Sequence, residues 1–153
     1  LFPRTFGGVE HRIELVPTVD GVRYYNDSIA SSPTRTIAGL RSFAEKVILI
    51  AGGYDKHIPF DVLGPEIIEH VKELILTGDT AEKIRAAVEN APGYNGSNPP
   101  IRMYQDFEQA VLAAHSMAQP GDVVILSPAC ASFDRFKNFM ERGNTFKRIV
   151  REL

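Results

Sequence analysis

The chain alternates short apolar runs with stretches whose apolar residues recur every three or four positions, a pattern that predicts strands and helices in alternation. The first two strands are expected at residues 11–18 and 22–25. Asp20-Gly21, which lies between them, favours a two-residue hairpin turn. This first pair of strands should therefore be antiparallel.

After the hairpin, helix and strand signals repeat. Ser32 followed by Pro33 is typical of a helix start, with the helix running to Phe43 and burying Ile37 and Leu40. Three further helices are indicated by apolar stripes at Leu63, Ile67 and Val71, at Ile84, Ala87, Val88 and Ala91, and at Phe107, Val111 and Ala114. Strands are indicated by apolar runs at residues 47–50, 74–76, 101–104 and 123–126.

Unbroken apolar strands separated by amphipathic helices predict an α/β fold with a mainly parallel sheet. We expect a Rossmann-like three-layer domain. Its sheet would have about six strands, one of them antiparallel, and helices would cover both faces.

The segment after the last strand carries small residues and then Phe133, Phe136, Phe139 and Met140 at helical spacing. We expect Ser132 to cap a helix here, whose N-terminal N–H groups would suit an anion such as a carboxylate. Phe136 fits the apolar stripe and is expected in the core. The chain should end in one or two helices that break near Gly143-Asn144.

Composition narrows the class of protein. A chain of 153 residues fits one domain, and 44% hydrophobic and 24% charged residues are typical of a soluble globular protein. A formal net charge of -2 argues against nucleic-acid binding, and no apolar stretch reaches the length of a membrane span. The lone cysteine, Cys130, excludes an internal disulfide and is expected to be a small buried residue.

The candidate chemistry lies where strands end. Small or polar stretches follow four of the predicted strands, at residues 26–28, 52–56, 77–79 and 127–132. Because ligands of parallel α/β sheets bind beyond the carboxyl ends of the strands, these stretches predict one composite site edge. The four histidines lack metal-ligand spacing, so no metal site is predicted. The chain contains no Gly-x-x-x-x-Gly-Lys-Ser/Thr phosphate loop.

Four segments in order resemble the C-terminal domain of Mur ligases, and most closely of those that add D-glutamate. They are Glu10-His11-Arg12, Tyr25-Asn26-Asp27-Ser28, the run AGGYDK at residues 51–56 and the run LSPACASFDRFKNF at residues 126–139. The Asp-Asn-Pro-Arg signature of the diaminopimelate-adding members is absent. The resemblance implies that residues 1–153 are a single C-terminal Mur ligase domain.

The resemblance also implies an activity for the complete protein. Such a ligase joins D-glutamate to UDP-N-acetylmuramoyl-L-alanine through an acyl phosphate, at the expense of ATP, during cytoplasmic peptidoglycan synthesis. The chain starts at Leu1, so we expect a fragment without the N-terminal UDP-binding domain and the central ATPase domain. ATP and Mg²⁺ would be bound mainly by those domains, and the fragment alone would be inactive.

Carried over position by position, the family motifs give site residues but no catalytic residue in this domain. The positions that match the D-glutamate subsite are Lys56, Ser31, Ser132, Phe133 and Phe139. The positions that match the ATP edge are Arg12 and Asp27. Without the resemblance, Lys56 reads as a solvated loop lysine, Asp27 as a turn aspartate and Arg12 as an ordinary strand arginine.

One position departs from the family pattern. Ile29 stands where many members have lysine, so either Arg35 substitutes for that cation or the contact is dispensable. Two other interpretations of the whole chain stay open. It could be another Mur or folylpolyglutamate-type ligase domain, or a non-catalytic α/β module that binds a nucleotide or a carboxylate.

Overall fold

Strands and helices alternate along the chain in the computed structural model, which describes residues 9–153. The six strands of that part are β1 (Glu14–Val19), β2 (Val22–Asn26), β3 (Val47–Ala51), β4 (Val71–Leu76), β5 (Ile101–Met103) and β6 (Val123–Leu126). The five helices are α1 (Pro33–Arg41), α2 (Leu63–His70), α3 (Ala81–Glu89), α4 (Phe107–Met117) and α5 (Phe139–Arg151). Within residues 9–153, none of these helices is both long enough and apolar enough to cross a membrane.

The strands form one sheet in the order β1-β2-β6-β3-β4-β5. β1 runs antiparallel to β2, and every other neighbouring pair is parallel. The hairpin between β1 and β2 turns at Asp20 and Gly21, whose φ angles of 53° and 77° are both positive. Two successive positive φ angles match the right-handed twist of the flanking strands, so the predicted antiparallel hairpin is confirmed.

Helices cover both faces of the sheet, and strand β3 shows why. Its five residues are at most 1% exposed, and alternate side chains point to opposite faces. Val47, Leu49 and Ala51 pack in the core beneath α1, α2 and α3, whereas Ile48 and Ile50 pack beneath α4 and α5. The predicted three-layer α/β fold with a mainly parallel six-stranded sheet is confirmed.

The boundary between α2 and β4 differs from the prediction. Val71 was expected in the helical stripe of Leu63 and Ile67, but it is the first residue of β4 and pairs with Val47. Its φ and ψ of -119° and 132° are extended, because this β-branched residue is buried in the sheet. Ala91 likewise lies past the end of α3, whose C-cap is Asn90.

The predicted helix cap at Ser132 is wrong. The carbonyl of Ser132 accepts hydrogen bonds from the backbone N–H groups of Arg135 (3.1 Å) and Phe136 (2.8 Å), which closes a turn and not a helix. Helix α5 begins seven residues later, where the Asn138 side chain accepts from the backbone N–H of Glu141 at 2.9 Å. Asn138 with Glu141 three residues on is a capping signature that the sequence carried. Ser132 therefore lies at no helix N-terminus that could hold an anion.

The predicted break at Gly143 is also wrong, because α5 runs through it without interruption. A Cβ atom at Gly143 would collide with the His11 imidazole and lie 2.9 Å from Asn26 Nδ2. The glycine therefore lets α5 approach the β1–β2 end of the sheet closely. Phe136 lies in the preceding turn and packs edge-on against Phe107 at 5.1 Å, which confirms its predicted place in the core.

Candidate functional site

Three loops beyond the carboxyl ends of β2, β3 and β6 are joined by backbone hydrogen bonds. Gly52 N donates to Pro128 O at 2.9 Å, and Tyr54 N donates to Ala131 O at 2.9 Å. On the other side, Ala129 N donates to Ala30 O, also at 2.9 Å. The loop after β6 is thus held between the other two, and the predicted juxtaposition of these segments at one sheet edge is confirmed.

Asp27 lies immediately after β2 and is only 3% exposed. Its Oδ1 accepts from the backbone N–H of Ile13 at 3.1 Å, and its Oδ2 accepts from the hydroxyl of Ser127 at 2.7 Å. Burial raises the pKa of Asp27 to about 6, although the Ser127 and Ile13 hydrogen bonds and the Arg12 charge lower it in part. Together the two oxygens therefore fasten the start of β1 to the end of β6, and each keeps a further acceptor lone pair.

Arg12 occupies an exposed position at the start of β1. The residues on either side of it, His11 and Ile13, have positive φ angles of 66° and 47°. The backbone N–H of Ile13, the next residue, donates to Asp27 at 3.1 Å, so Arg12 lies close to Asp27 along the chain, and its charge lowers the pKa of Asp27. The structure thus brings together the two residues predicted at the ATP edge.

The other two residues of the Asn-Asp-Ser motif fix the backbone. Asn26 Nδ2 donates to Glu14 at 3.0 Å, and its Oδ1 accepts from the backbone N–H of Ser28 at 3.1 Å. The hydroxyl of Ser28 donates to the carbonyl of Phe139 at 2.7 Å. The Phe139 ring is half-buried and lies edge-on to the His11 imidazole, with ring centroids 5.8 Å apart.

Lys56 follows a glycine pair that has a demonstrable steric role. A Cβ atom on Gly52, whose φ is 108°, would collide with the carbonyl oxygen of Thr77. The Lys56 side chain is exposed, and within residues 9–153 its ammonium forms no ion pair with a carboxylate. Its neighbour Asp55, by contrast, is paired with Lys83 from α3. Lys56 is therefore a cation at the sheet edge that a ligand carboxylate can reach.

Ser132 and Phe133 lie opposite this glycine loop. Ser132 is 2% exposed, whereas Phe133 is 63% exposed and lies edge-on to Tyr54 with ring centroids 5.9 Å apart. Ser31 is half-buried and follows Ala30, whose carbonyl bonds the loop after β6. Sequence reasoning missed Tyr54, although an aromatic residue next to the Asp-Lys pair of this loop was a usable signal.

Sequence reasoning also missed Arg142. It lies on α5, is 2% exposed and donates hydrogen bonds to Ser28 and Cys130. No pattern signalled this role, because an arginine on an amphipathic helix is ordinarily expected to face solvent.

Cys130 has no features of a nucleophile. Burial raises the pKa of its thiol to about 11, and its Sγ lies 3.1 Å from the hydroxyl of Thr80. A thiol with so high a pKa is not ionised at neutral pH. The structure agrees with the prediction of a small buried residue.

One group of potential metal ligands occurs within residues 9–153. Glu10, His11 and Glu14 offer ligand atoms within 4.8 Å of one another. The ammonium of Lys147, however, lies 2.9 Å from Glu10 and 3.0 Å from Glu14. Because this ammonium already donates hydrogen bonds to both carboxylates, the group does not fit a divalent ion such as Mg²⁺.

Comparison with protein families gives a match over most of the chain. Residues 11–130 match the family model described as Mur ligase, glutamate ligase domain. The UDP-N-acetylmuramoylalanine--D-glutamate ligase of Acetivibrio thermocellus is 62% identical over 151 residues, which cover 97% of this chain and 32% of that protein. The ligase of the same name from Clostridium beijerinckii is 60% identical over 149 residues, with 97% and 32% covered. The chain thus spans about a third of the length of these relatives.

Solved structures share the fold at low sequence identity. E. coli FolC in complex with ADP gives a TM-score of 0.60 at 15% identity, over 94% of this chain and 32% of that one. A murein peptide ligase from Psychrobacter arcticus gives 0.57 at 17% identity, over 90% and 30%. At such identities the likeness supports the fold alone.

Proposed function

The chain belongs to the Mur ligase family, in its glutamate ligase domain, and on that basis we propose that it is the C-terminal domain of an ATP-dependent ligase that adds D-glutamate to UDP-N-acetylmuramoyl-L-alanine. The observation that carries this proposal is the 62% identity to a ligase of that name across nearly the whole chain. Residues 1–153 would form this single domain. The UDP-binding and central ATPase domains would belong to the remainder of a longer protein.

The reaction would run in two steps. The alanyl carboxylate would accept the γ-phosphoryl group of ATP, which leaves ADP and an acyl phosphate. The amine of D-glutamate would then attack the acyl carbon and release phosphate as the amide bond forms. The contribution of this domain would be to present the amine in line with that carbon, which is a gain through orientation and electrostatics. We place the reaction in the cytoplasm, where ATP is available.

The amino-acid subsite would lie between the loops after β3 and β6. Lys56 supplies an exposed ammonium to a side-chain or main-chain carboxylate of D-glutamate. Ser31 and Ser132 supply hydroxyl donors. Phe133 and Phe139 would line the subsite and contact the methylene groups of the ligand, and Tyr54 packs against the Phe133 ring.

The ATP edge formed by Arg12 and Asp27, from here on called the nucleotide edge, would lie on the other side of the same loops. Arg12, exposed and near Asp27, supplies a cation, and Asp27 has an acceptor lone pair remaining on each oxygen. Mg²⁺, which neutralises phosphate charge in ligases of this kind, would be held outside this domain, since Lys147 occupies the one candidate ligand group in the described residues. The same holds for the phosphates, because the chain has no phosphate loop.

Kinetics of the full-length ligase test these assignments. Lys56→Ala should raise the KM for D-glutamate roughly tenfold or more, because a charge-assisted contact is lost, and leave the KM for ATP nearly unchanged. Ser132→Ala should act in the same direction more weakly. Arg12→Ala should instead raise the KM for ATP. Lys72→Ala is a matched control, since Lys72 pairs with Asp122 at the opposite end of the sheet.

Two results would contradict the proposal. Wild-type enzyme that turns over without D-glutamate, or prefers another amino acid, would remove the substrate assignment. Equal effects of Lys56→Ala on both substrates would remove Lys56 from the amino-acid subsite.

A further inference from the structure

Arg142, on helix α5, joins the loops after β2 and β6 of the candidate site. Its Nε donates to Ser28 Oγ at 2.9 Å and its Nη2 to Ser28 O at 2.6 Å. Its Nη1 donates to the carbonyl of Cys130 at 2.9 Å. The guanidinium thus bonds the backbone after β2 and the backbone after β6 at the same time.

The third loop also approaches Arg142. A Cβ atom built on Gly53 would lie 3.4 Å from Arg142 Nη1 and 2.6 Å from the carbonyl oxygen of Ala131. Glycine at this position therefore lets the loop after β3 lie directly against the guanidinium. Arg142 sits where the three loops of the site meet.

These contacts are a costly way to stabilise a fold. Arg142 is 2% exposed, and the three hydrogen-bond acceptors that it has within residues 9–153 are uncharged. Burying a charge without a bonded counter-charge costs more than burying an apolar side chain of similar size. The guanidinium instead fixes the geometry of the two loops, because its rigid planar fork sets the angles between its acceptors. A lysine ammonium would not set these angles.

The anchored atoms are adjacent to the residues assigned to substrates. Ser28 follows Asp27 of the nucleotide edge, and Cys130 precedes Ser132 of the amino-acid subsite by two residues. Gly53 precedes Lys56 by three residues on the adjoining loop. A change in the fork would therefore move groups on both sides of the site.

We propose that Arg142 is a positioning residue that fixes the position of the nucleotide edge relative to the amino-acid subsite. This inference rests on the proposed ligase function. It assigns Arg142 no contact with substrate. Its effect is exerted through the backbone of Ser28 and Cys130.

The test uses the full-length ligase with Arg142→Lys, which keeps the positive charge and removes the fork. We expect the KM values for ATP and for D-glutamate both to rise, by about five- to tenfold each, because charge-assisted hydrogen bonds to both loops are lost. Arg148→Lys is the matched control on the same helix, since Arg148 is exposed and, among residues 9–153, pairs with Glu152 one turn away and with no other carboxylate. It should change neither KM.

A purely stabilising role predicts a different result. In that case Arg142→Lys would lower the melting temperature and the fraction of active enzyme, so the apparent kcat would fall while both KM values stayed at the wild-type level. That result would overturn the proposal. A rise confined to one substrate would also overturn it, because the guanidinium bonds both loops.

Ser28→Ala provides a second, milder variant that decides the matter if Arg142→Lys does not fold. It removes the Nε acceptor and leaves both carbonyl acceptors in place, so it should raise both KM values by a smaller factor. The KM for ATP is the decisive value, because the variant also removes the bond from Ser28 to the Phe139 carbonyl in the amino-acid subsite. Unchanged KM values in Ser28→Ala would then overturn the proposal. Wild-type turnover that depends on D-glutamate separates the two hypotheses: if it is absent, both fail, and if it is present, only the role of Arg142 is in question.

Discussion

The hydroxyl of Ser127 lies 2.7 Å from Oδ2 of Asp27, although the two residues are 100 positions apart in the sequence. Asp27 follows β2 and Ser127 follows β6, so this bond ties two neighbouring parallel strands together where both end. Thr36 of α1 joins them through a 3.1 Å bond to the Ser127 carbonyl. The carboxyl ends of β2 and β6 are therefore joined by a buried polar cluster with the Asp27 carboxylate at its centre, and the proposed nucleotide edge would be built on this cluster.

Asp27 should make stability depend on pH. Its pKa is raised from 3.8 to about 6 by burial, so the folded protein binds this proton more tightly than the unfolded chain does. The contribution of Asp27 to the free energy of unfolding is therefore most favourable below about pH 4, falls as pH rises to about 6, and is constant above. The shift corresponds to a change on the order of 3 kcal/mol.

Urea unfolding of wild-type and Asp27→Asn protein between pH 4 and 7 measures this effect. The stability difference between them should shift in favour of the variant as pH rises through this window. Taking the difference is necessary because Glu66 and Asp122, whose pKa values are lowered, contribute pH dependence of the opposite sign. Asp61→Asn at an exposed position serves as the control. A difference that stays flat with pH would show that Asp27 titrates normally.

Local patterns predicted the fold well because they depend on neighbouring residues. The apolar run of β6 and the Asp20-Gly21 turn are each encoded within a few positions. The carboxyl ends of parallel strands share one edge, so the grouping of the site loops followed from the strand assignment. The bonds from Arg142 to Ser28 and from Ser127 to Asp27 did not follow, because their partners lie 114 and 100 positions apart.

The start of α5 was mispredicted for a different reason. Ser132 and Asn138 are both good capping residues, and phenylalanines at a spacing of three fit a turn as well as a helix. The structure predicts unequal effects on stability. Asn138→Ala should lower the free energy of unfolding by about 1 kcal/mol, since its side chain satisfies the Glu141 N–H, whereas Ser132→Ala removes no helix cap.

Chemical denaturation of both variants decides this point. Asn138→Asp, which keeps an acceptor at the cap, should retain most of the stability and is the matched control. If Ser132→Ala lowered the free energy of unfolding more than Asn138→Ala, the helix would instead begin at Ser132.

Gly143→Ala should destabilise the domain although alanine is the better helix former. Replacing a glycine within a helix ordinarily stabilises it by about 1 kcal/mol. Here the added Cβ would meet the His11 imidazole and lie 2.9 Å from Asn26 Nδ2, so α5 or the β1–β2 end of the sheet would have to shift. Thermal unfolding should show a lower Tm for Gly143→Ala. Asn144→Ala, at the next and exposed position, should leave the Tm unchanged or raise it slightly.

Ile29 and Arg35 provide the last test, because the family pattern suggests a cation near Ile29. Ile29 is half-buried, and its backbone N–H donates to the carbonyl of His11 at 3.1 Å. Arg35 is exposed on α1, and its charge lowers the pKa of Asp27. Because the next residue, Thr36, donates to the carbonyl of Ser127, whose hydroxyl bonds Asp27, we expect Arg35→Ala in the full-length ligase to raise the KM for ATP and to leave the KM for D-glutamate within about twofold of wild type. If Arg35 instead replaced the missing lysine, Arg35→Ala would raise the KM for D-glutamate, and adding Ile29→Lys would restore it. A lysine at position 29 that changes the D-glutamate KM equally with and without Arg35 would show that the two positions act independently, and the subsite would then depend on Lys56 for its cation.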